Sequence, residues 1–393
     1  MLKHVLALVL AAGATTCLAQ PTITSLGGGV PIGVTNSLSG TYYIGGSGLS
    51  TASAARWTLT GSTLVGTEIG GTGGGGYISQ DGRFQTGQWL NTGPQIFGNT
   101  AAGVTPPFTP NPTLIPSTSL PAATEFAARR FSVAGGTWQS LGGLPIVPSL
   151  IAYGSSSSGQ TTGNFLSGNG ISSNGRFVVG LGYVCTYNNA GTAVSANSFR
   201  WRPWIWDAQA NGGSGAMTIL LTPFRTSSNT ALRRTGNAYA VSTDGTVVLG
   251  AQEHNVGGSP GDSANHAVWR LNNVTGEYEL TLLAGGGVSS TPSSLAMNAA
   301  GTIIAGRATD GTNSFLGKWT WNPGTSTWDG PQNLGSNLTT QASWLPGSVT
   351  SCSIPPSLAG SVAMSEDGNT IVGSVSLQHL RQFHVGRLHL PHR

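Results

Sequence analysis

Apolar residues in this chain occur in short consecutive runs that each follow a polar, glycine-containing turn. Residues 177–179, 247–249 and 303–305 are examples. A β-strand with one face in water alternates apolar and polar residues, so consecutive apolar residues indicate strands that are covered on both faces. Good helix formers never gather into long periodic runs. The pattern therefore predicts an all-β protein.

A spaced pattern of Ser or Asn, two residues, Gly, four residues and a final Gly recurs six times. The copies start at Ser37, Ser79, Ser172, Ser242, Asn298 and Ser365, and their final glycines are Gly45, Gly87, Gly180, Gly250, Gly306 and Gly373. They occupy residues 35–45, 77–87, 170–180, 240–250, 296–306 and 363–373. The first copy is the weakest, because no apolar residue precedes its Ser.

Each copy is predicted to be a β-hairpin. Asp-Gly follows the Ser in three copies and Asn-Gly in a fourth, and these pairs suit tight turns with positive φ on glycine. The Ser side chain, two or three places earlier, can bond to the turn backbone. The turn pairs begin at Asp81, Asn174, Asp244 and Asp367.

Two more strands are predicted after each hairpin. The third strand places a basic residue beside an aromatic one, as in Arg56-Trp57, Arg130-Phe131, Arg200-Trp201, Trp269-Arg270 and Lys318-Trp319. Because Trp57, Trp201, Trp269 and Trp319 recur in this strand, we expect them to pack between units. The fourth strand ends in leucine, at Leu64, Leu141, Leu220, Leu282 and Leu334.

The sixth copy has only a weak third strand, at 383–388, and no fourth strand before the chain ends. An extra strand at 22–28 resembles residues 138–143 and can complete the last unit. The predicted fold is therefore a six-bladed β-propeller of four-stranded antiparallel blades, closed by the N-terminal strand. A β-solenoid is less compatible, because the final glycines lie 42 to 93 residues apart. Stacked β-sandwiches have no use for six matched hairpins.

The N-terminus has the pattern of a secretory signal peptide. An apolar run at 5–12 precedes a small-x-Ala site at Ala19, so residues 1–19 are predicted to be the signal and 20–393 a single domain. Lipidation of Cys17 is the weaker alternative. No later segment is apolar enough to span a membrane as a helix. The protein is therefore expected to be secreted or extracytoplasmic.

Charged residues make up only 8% of the 393 residues, against about 25% in ordinary soluble domains. The 60 glycines and 21 prolines suit a turn-rich chain rather than a highly charged disordered one. Basic residues are scattered singly or in pairs, and no patch follows a phosphate backbone, so nucleic acid is not an expected partner. We expect a monomer with no cofactor.

Long connections are predicted on one face of the domain only, where second strands lead to third strands and fourth strands to the next unit. Variable loops on a rigid scaffold commonly bind ligands. The candidate binding residues there are Trp89, Trp344, Glu253, Asp262 and Asp310. The three acids could supply oxygen ligands for Ca²⁺, and loop carboxylates could serve a glycosidase. Ordinary solvated charges are the simplest alternative.

Two cysteines remain after the predicted signal, Cys185 and Cys352. An oxidising compartment permits a disulfide, but the two residues belong to the third and the sixth units. Those units stand opposite each other in a ring of six, so both segments would have to cross the opening. Pairing and two free thiols both stay open at this point.

The Ala-x-Ser-x-Asp-Gly-x-x-Val-x-Gly hairpins, the Leu-Gly-Gly elements and His266-Ala267-Val268 resemble the extracellular HAF-repeat family, over nearly all of the mature chain. The hairpins are also similar to the repeats of TolB-like propellers. The resemblance implies a repeat type and no defined reaction. Because charge is scarce and no set of titratable residues repeats or clusters in the sequence, we predict a secreted, non-catalytic protein that binds a glycan, a protein or a surface. A secreted hydrolase or lyase and a purely structural protein are the alternatives.

Overall fold

The computed structural model describes 15 segments of the chain, which form mostly antiparallel sheets of four strands. The described residues are 30–34, 41–47, 54–60, 63–70, 77–91, 125–141, 158–188, 200–220, 236–253, 264–286, 295–312, 314–334, 349–353, 362–373 and 376–379. The predicted signal peptide, the closing strand at 22–28 and the strand at 383–388 lie outside them. The all-β prediction is confirmed.

Each four-stranded unit is hydrogen-bonded in chain order, as predicted. The first unit contains β1 (Val30–Val34), β2 (Thr41–Ser47), β3 (Ala54–Thr60) and β4 (Thr63–Gly70). The second contains β5 (Tyr77–Ile78), β6 (Phe84–Asn91), β7 (Glu125–Ser132) and β8 (Thr137–Ser140). The third contains β9 (Ser158–Ile171), β10 (Phe177–Asn188), β11 (Arg200–Asp207) and β12 (Ala216–Ile219). A single parallel pair, Phe126 with Phe165, joins the second and third units.

The fourth and fifth units have the same order, and a two-part hairpin follows them. The fourth contains β13 (Gly236–Val241), β14 (Val247–Glu253), β15 (Ala264–Asn272) and β16 (Glu277–Leu282). The fifth contains β17 (Leu295–Met297), β18 (Ile303–Thr309), β19 (Ser314–Asn322) and β20 (Thr327–Asn333). The last hairpin contains β21 (Val349–Ser353), β22 (Val362–Met364), β23 (Ile371–Gly373) and β24 (Ser376–His379). Within the described segments, no strand pairing connects this hairpin to the first unit.

The second strands are buried on both faces, which confirms the interpretation of their consecutive apolar residues. Val178 packs with Ala128 and Leu141 of the second unit, whereas the next residue, Val179, packs with Val241 of the fourth unit. Both valines have no exposed surface. Successive side chains of a strand point to opposite faces, so the third unit contributes to two separate cores, one shared with the second unit and one with the fourth.

Three of the four tryptophans expected between units, Trp57, Trp269 and Trp319, are almost completely buried. The assignment of Trp201 to the same position is wrong. Trp206 lies opposite Val178, as Trp269 lies opposite Val248, whereas Trp201 pairs with Tyr183. The segment 200–207 contains three tryptophans, and only the strand register shows which of them is equivalent to Trp269 of the fourth unit.

The final glycine of the first repeat also needs correction, from Gly45 to Gly46. Trp57 lies opposite Ile44, two residues before Gly46. In the fourth and fifth units the buried Trp likewise lies opposite the residue two before the final glycine. The final glycine of the first copy therefore lies one residue later than predicted.

The hairpin turns adopt the predicted geometry. In the fourth unit, Gly245 has φ +77° and the Ser242 hydroxyl accepts a bond from the Val247 N–H at 3.0 Å. Ser79, Ser172 and Ser365 accept equivalent bonds, and Asn298 does so through its side-chain oxygen. This explains why the repeat tolerates Ser or Asn at its first position.

Successive turns contact one another in chain order. The Gln80 N–H donates to the Ser173 carbonyl at 3.0 Å, and the Ala299 N–H donates to the Glu366 carbonyl at 3.0 Å. A side chain at Gly245 would overlap the Phe177 ring of the preceding unit. First strands also pack on the first strands of neighbouring units, so they form the inner layer. We call the edge with these turns the turn side and the opposite edge the loop side.

Candidate functional site

The inner strands of three units carry a β-bulge at the same position. The extra residue is Ile32 in the first unit, Asn169 in the third and Tyr239 in the fourth. In the third and fourth units it lies three places before the Ser that starts the turn. A bulge bends a strand and re-aims its side chains, and bulges are frequent next to functional sites.

Polar side chains of the third and fourth inner strands form a continuous hydrogen-bonded chain. The Ser167 hydroxyl donates to Asn169 Oδ1 at 2.6 Å, and Asn169 Nδ2 donates to Asn237 Oδ1 at 2.7 Å. The Asn237 side chain also lies near the Tyr239 hydroxyl, where it acts to lower the pKa of that phenol. Tyr77, on the second unit's inner strand, lies close enough to interact electrostatically with Tyr239. We call these five residues the inner-strand cluster.

The cluster is electrically neutral over the whole physiological pH range. Burial, and to a smaller extent the neighbouring Tyr77 phenol, raises the pKa of Tyr239 far above its usual value. Burial also raises the pKa of Tyr77. Both phenols therefore stay protonated, and amides and hydroxyls do not titrate. The cluster can donate and accept hydrogen bonds and offers two aromatic rings, but none of its members can act as a general base at neutral pH.

Three of the sequence-predicted binding residues have described backbone positions, all toward the loop side. Trp89 lies in β6 opposite Ala127 and Glu253 ends β14 opposite Ala264, so these two are strand residues rather than loop residues. Asp310 follows β18, and its Oδ1 accepts a bond from the Thr312 N–H at 2.9 Å. Trp344 and Asp262 lie outside the described residues.

A calcium site at Glu253, Asp262 and Asp310 stays a prediction, because Asp262 is not among the described residues. Within the described part of the chain, no group of three or more His, Cys, Asp or Glu side chains is close enough to hold a metal ion. The oxygen of Asp310 that accepts from Thr312 stabilises a short turn, which is a structural role.

The carboxylates of the turn side also have structural roles. Burial acts to raise the pKa of Asp244, but hydrogen bonds from the Ser242 hydroxyl and the Thr246 N–H bring it below its usual value. Asp207 forms an ion pair with Arg176 at 2.7 Å, and the hydrogen bond from Arg176 lowers the pKa of Asp207. These acids are ionised and engaged in turns, so they are unsuited to proton transfer.

The inner-strand cluster was not predicted from the sequence. Its residues do not recur in all six copies, so the repeat pattern does not mark them. A usable signal does exist: in the third and fourth units the positions three and five before the turn Ser are polar, namely Asn169, Ser167, Tyr239 and Asn237. Polar residues at alternate positions of an inner strand indicate that one of its faces contacts solvent.

No protein-family model matches the chain, and a search of curated proteins finds no match. Among solved structures, the chain is similar to propeller-type proteins. TolB from Acinetobacter baumannii has a TM-score of 0.37 and 11% identity over 77% of this chain and 54% of that one. The periplasmic gluconolactonase of Pseudomonas aeruginosa gives 0.35 and 10%, over 82% and 88%. The oligogalacturonate lyase of Vibrio parahaemolyticus gives 0.32 and 9%, over 87% of each chain.

This chain therefore spans about half the length of TolB. At such scores the likeness supports no statement about activity, and the architecture rests on the sheets themselves. Among the described residues, no helix has the length and apolar character needed to cross a membrane.

Proposed function

We propose that this chain is a secreted, non-catalytic binding protein of the HAF-repeat type that recognises an uncharged, hydroxyl-rich ligand, a glycan, from its loop side. The observation that carries the proposal is the inner-strand cluster. Its hydrogen-bonded amides and hydroxyls, combined with two tyrosine rings, match the chemistry by which proteins hold sugars: directional hydrogen bonds together with ring stacking.

The proposed architecture is a closed six-bladed propeller. Five four-stranded units and one further hairpin follow one another, and the turn glycine of every unit after the first packs on a side chain of the preceding unit. The last hairpin packs against the fifth unit, where Gly368 lies beneath Ile303. Its opposite face leaves Thr370 exposed, whereas the equivalent residues Phe177 and Val247 are buried. Packing of the first unit on this face would bury it and close the ring.

Ligand binding should depend on the amide of Asn237. Asn237→Ala removes the amide that accepts a hydrogen bond from Asn169, and we expect at least about a tenfold loss of affinity, corresponding to one hydrogen bond of about 1.4 kcal/mol. The measurement is a glycan array followed by titration calorimetry with the best neutral glycan. The matched control is Asn322→Ala, because Asn322 lies on the turn side of the fifth unit, where it bonds Asp329 at 3.1 Å.

Other outcomes contradict the proposal. Binding that survives Asn237→Ala but is lost in Trp89→Ala or Trp344→Ala would place recognition in the long connections instead. Turnover of a polysaccharide that is abolished by Glu253→Gln or Asp262→Asn would establish the hydrolase or lyase alternative. Absence of binding to every glycan tested would leave the structural role.

Ring closure has a separate test. Deletion of residues 20–28 removes the proposed closing strand, and we expect a lower melting temperature and proteolytic cleavage near the C-terminus. Both effects are expected because the strand at 383–388 would lose its pairing partner and become an exposed sheet edge. The control is deletion of residues 389–393, which leaves the proposed strand and its partner intact. Equal stability of both truncated chains would show that the N-terminal segment does not close the fold.

A further inference from the structure

Two of the inner hairpins extend much farther toward the loop side than the others. In the third unit, β9 has 14 residues and β10 has 12, whereas β13 and β14 have 6 and 7. In the last hairpin, β21 and β24 continue the pairing of β22 with β23 past the final glycine, Gly373. Within the described segments, pairing in the other inner hairpins ends at most two residues beyond the final glycine.

Each extension carries one of the two cysteines of the mature chain. Cys185 lies five residues beyond Gly180, opposite Thr161. Cys352 lies opposite Leu377, which is four residues beyond Gly373. At about 3.3 Å per residue, the two positions stand about 16 and 13 Å above the level of their final glycines. The backbones of both cysteines lie in paired strands.

The two extensions also rise on the same side of the protein. In every unit the turn between first and second strands lies on the turn side, so pairing beyond the final glycine must project on the loop side. In the proposed six-unit ring, on which this step rests, the third unit and the last hairpin stand on opposite sides of the axis. We call the two extensions ribbons. They project a similar distance on the loop side and therefore face each other above the inner-strand cluster.

We propose that Cys185 and Cys352 form a disulfide that joins these two ribbons across the loop-side opening. The two thiols lose two protons and two electrons to the disulfide of an extracytoplasmic thiol oxidoreductase, which becomes a dithiol. A disulfide requires Cα atoms 4.4–6.8 Å apart, so the proposal requires both ribbons to lean toward the axis at these positions. The bond spans the entrance above the cluster, so its reduction widens access to the proposed ligand site.

The experiment uses the full chain secreted into an oxidising compartment. The protein is unfolded in urea with iodoacetamide, with and without prior reduction, and its intact mass is measured. We expect no alkylation of Cys185 or Cys352 before reduction and alkylation of both afterwards, together with a proteolytic peptide pair that links them. The intact mass also reports whether Cys17 is still present.

Two results would overturn the proposal. Free thiols at both positions, even after incubation of the folded protein with oxidised glutathione, would show that the ribbons do not meet. A disulfide between two chains would show that the cysteines are exposed to partners instead. Cys185→Ser and Cys352→Ser should each lower the melting temperature by several degrees, and the double variant should equal either single variant.

The outcome is distinguishable from failure of the proposed function. Glycan binding that is absent while the intramolecular disulfide is present rejects the ligand proposal alone. If both thiols are free in a protein that binds a glycan through Asn237, only the proposed disulfide is rejected. If both thiols are free and deletion of residues 20–28 has no effect on stability, the six-unit ring on which the proposed disulfide depends is rejected.

Discussion

Replacement of Gly250 by alanine is expected to destabilise the protein by about 3 kcal/mol, the upper end of the usual cost of overpacking. Gly250 lies in β14, and its backbone dihedrals are ordinary, so conformational freedom is not what it supplies. A Cβ there would fall inside contact distance of the Asn237 carbonyl oxygen, and at 2.8 Å from Cζ3 of Trp269. The bulged inner strand passes too close to leave room for a methyl group.

The matched control for this substitution is Gly324→Ala in the exposed turn after β19. A Cβ at Gly324 meets only Asn322 Oδ1, at 3.4 Å, so its effect should be within about 0.5 kcal/mol. The free energy of unfolding is measured by urea denaturation of both variants. Gly180→Ala should behave as Gly250→Ala does, because the Ser167 carbonyl occupies the equivalent space. A loss below 1 kcal/mol in both would mean that the inner strands can move away.

These glycines explain why the repeat could be recognised in the sequence at all. In the second to sixth copies the first glycine turns the chain with positive φ beneath a side chain of the preceding unit, and in the third and fourth copies the last glycine admits a bulged strand. Both requirements are steric and local, so they leave a fixed spacing. For the same reason the consecutive apolar residues at 247–249 correctly predicted a strand between two cores.

The two wrong predictions concern positions whose equivalence between units depends on the register between strands. Counting along the sequence placed Trp201 and Gly45 in the repeat, but pairing across the sheet selects Trp206 and Gly46. A single added residue in a turn or bulge shifts every later position by one, and composition does not reveal it.

The inner-strand cluster was missed for a different reason. Asn237 and Tyr239 acquire their environment from Asn169, 68 residues earlier than Asn237, and from the second unit's Tyr77. No local pattern records a contact between units. The lengths of β9 and β10 were likewise hidden, because the segment 181–196 is rich in small and polar residues and has no clear alternation.

Acid is expected to destabilise the protein between pH 6.5 and pH 4 through His266. His266, in β15, is almost completely buried, its ring lies edge-on to Trp319, and its Nε2 lies 2.7 Å from the Arg307 carbonyl. A neutral ring that donates to this carbonyl fits the site. Burial, assisted by the charge of Arg307, lowers the pKa of His266 from 6.5 to about 4, although the bond to the carbonyl opposes this shift.

The direction of the pH dependence follows from the linkage between protonation and folding. Between pH 4 and 6.5 the unfolded chain binds a proton at His266 that the folded protein does not, so the free energy of unfolding rises with pH in this window. The contribution is complete above pH 6.5 and is lost as the pH falls to 4. At about 1.4 kcal/mol per pKa unit the loss is about 3 kcal/mol. Hydrogen bonds hold the pKa values of the turn-side acids Asp81, Asp207 and Asp244 below their usual range, so most of their contribution to stability is lost below this window.

Urea denaturation at half-unit steps from pH 4 to 7.5 measures the effect, and His266→Gln provides the control. Glutamine keeps a donor for the Arg307 carbonyl and cannot titrate, so the variant should lose stability at pH 7 but show a nearly flat profile down to pH 4.5. A profile as steep as that of the unmodified protein would assign the acid sensitivity to other groups. A flat profile in the unmodified protein would mean that His266 can charge in place, which requires the fourth and fifth units to separate enough to admit water.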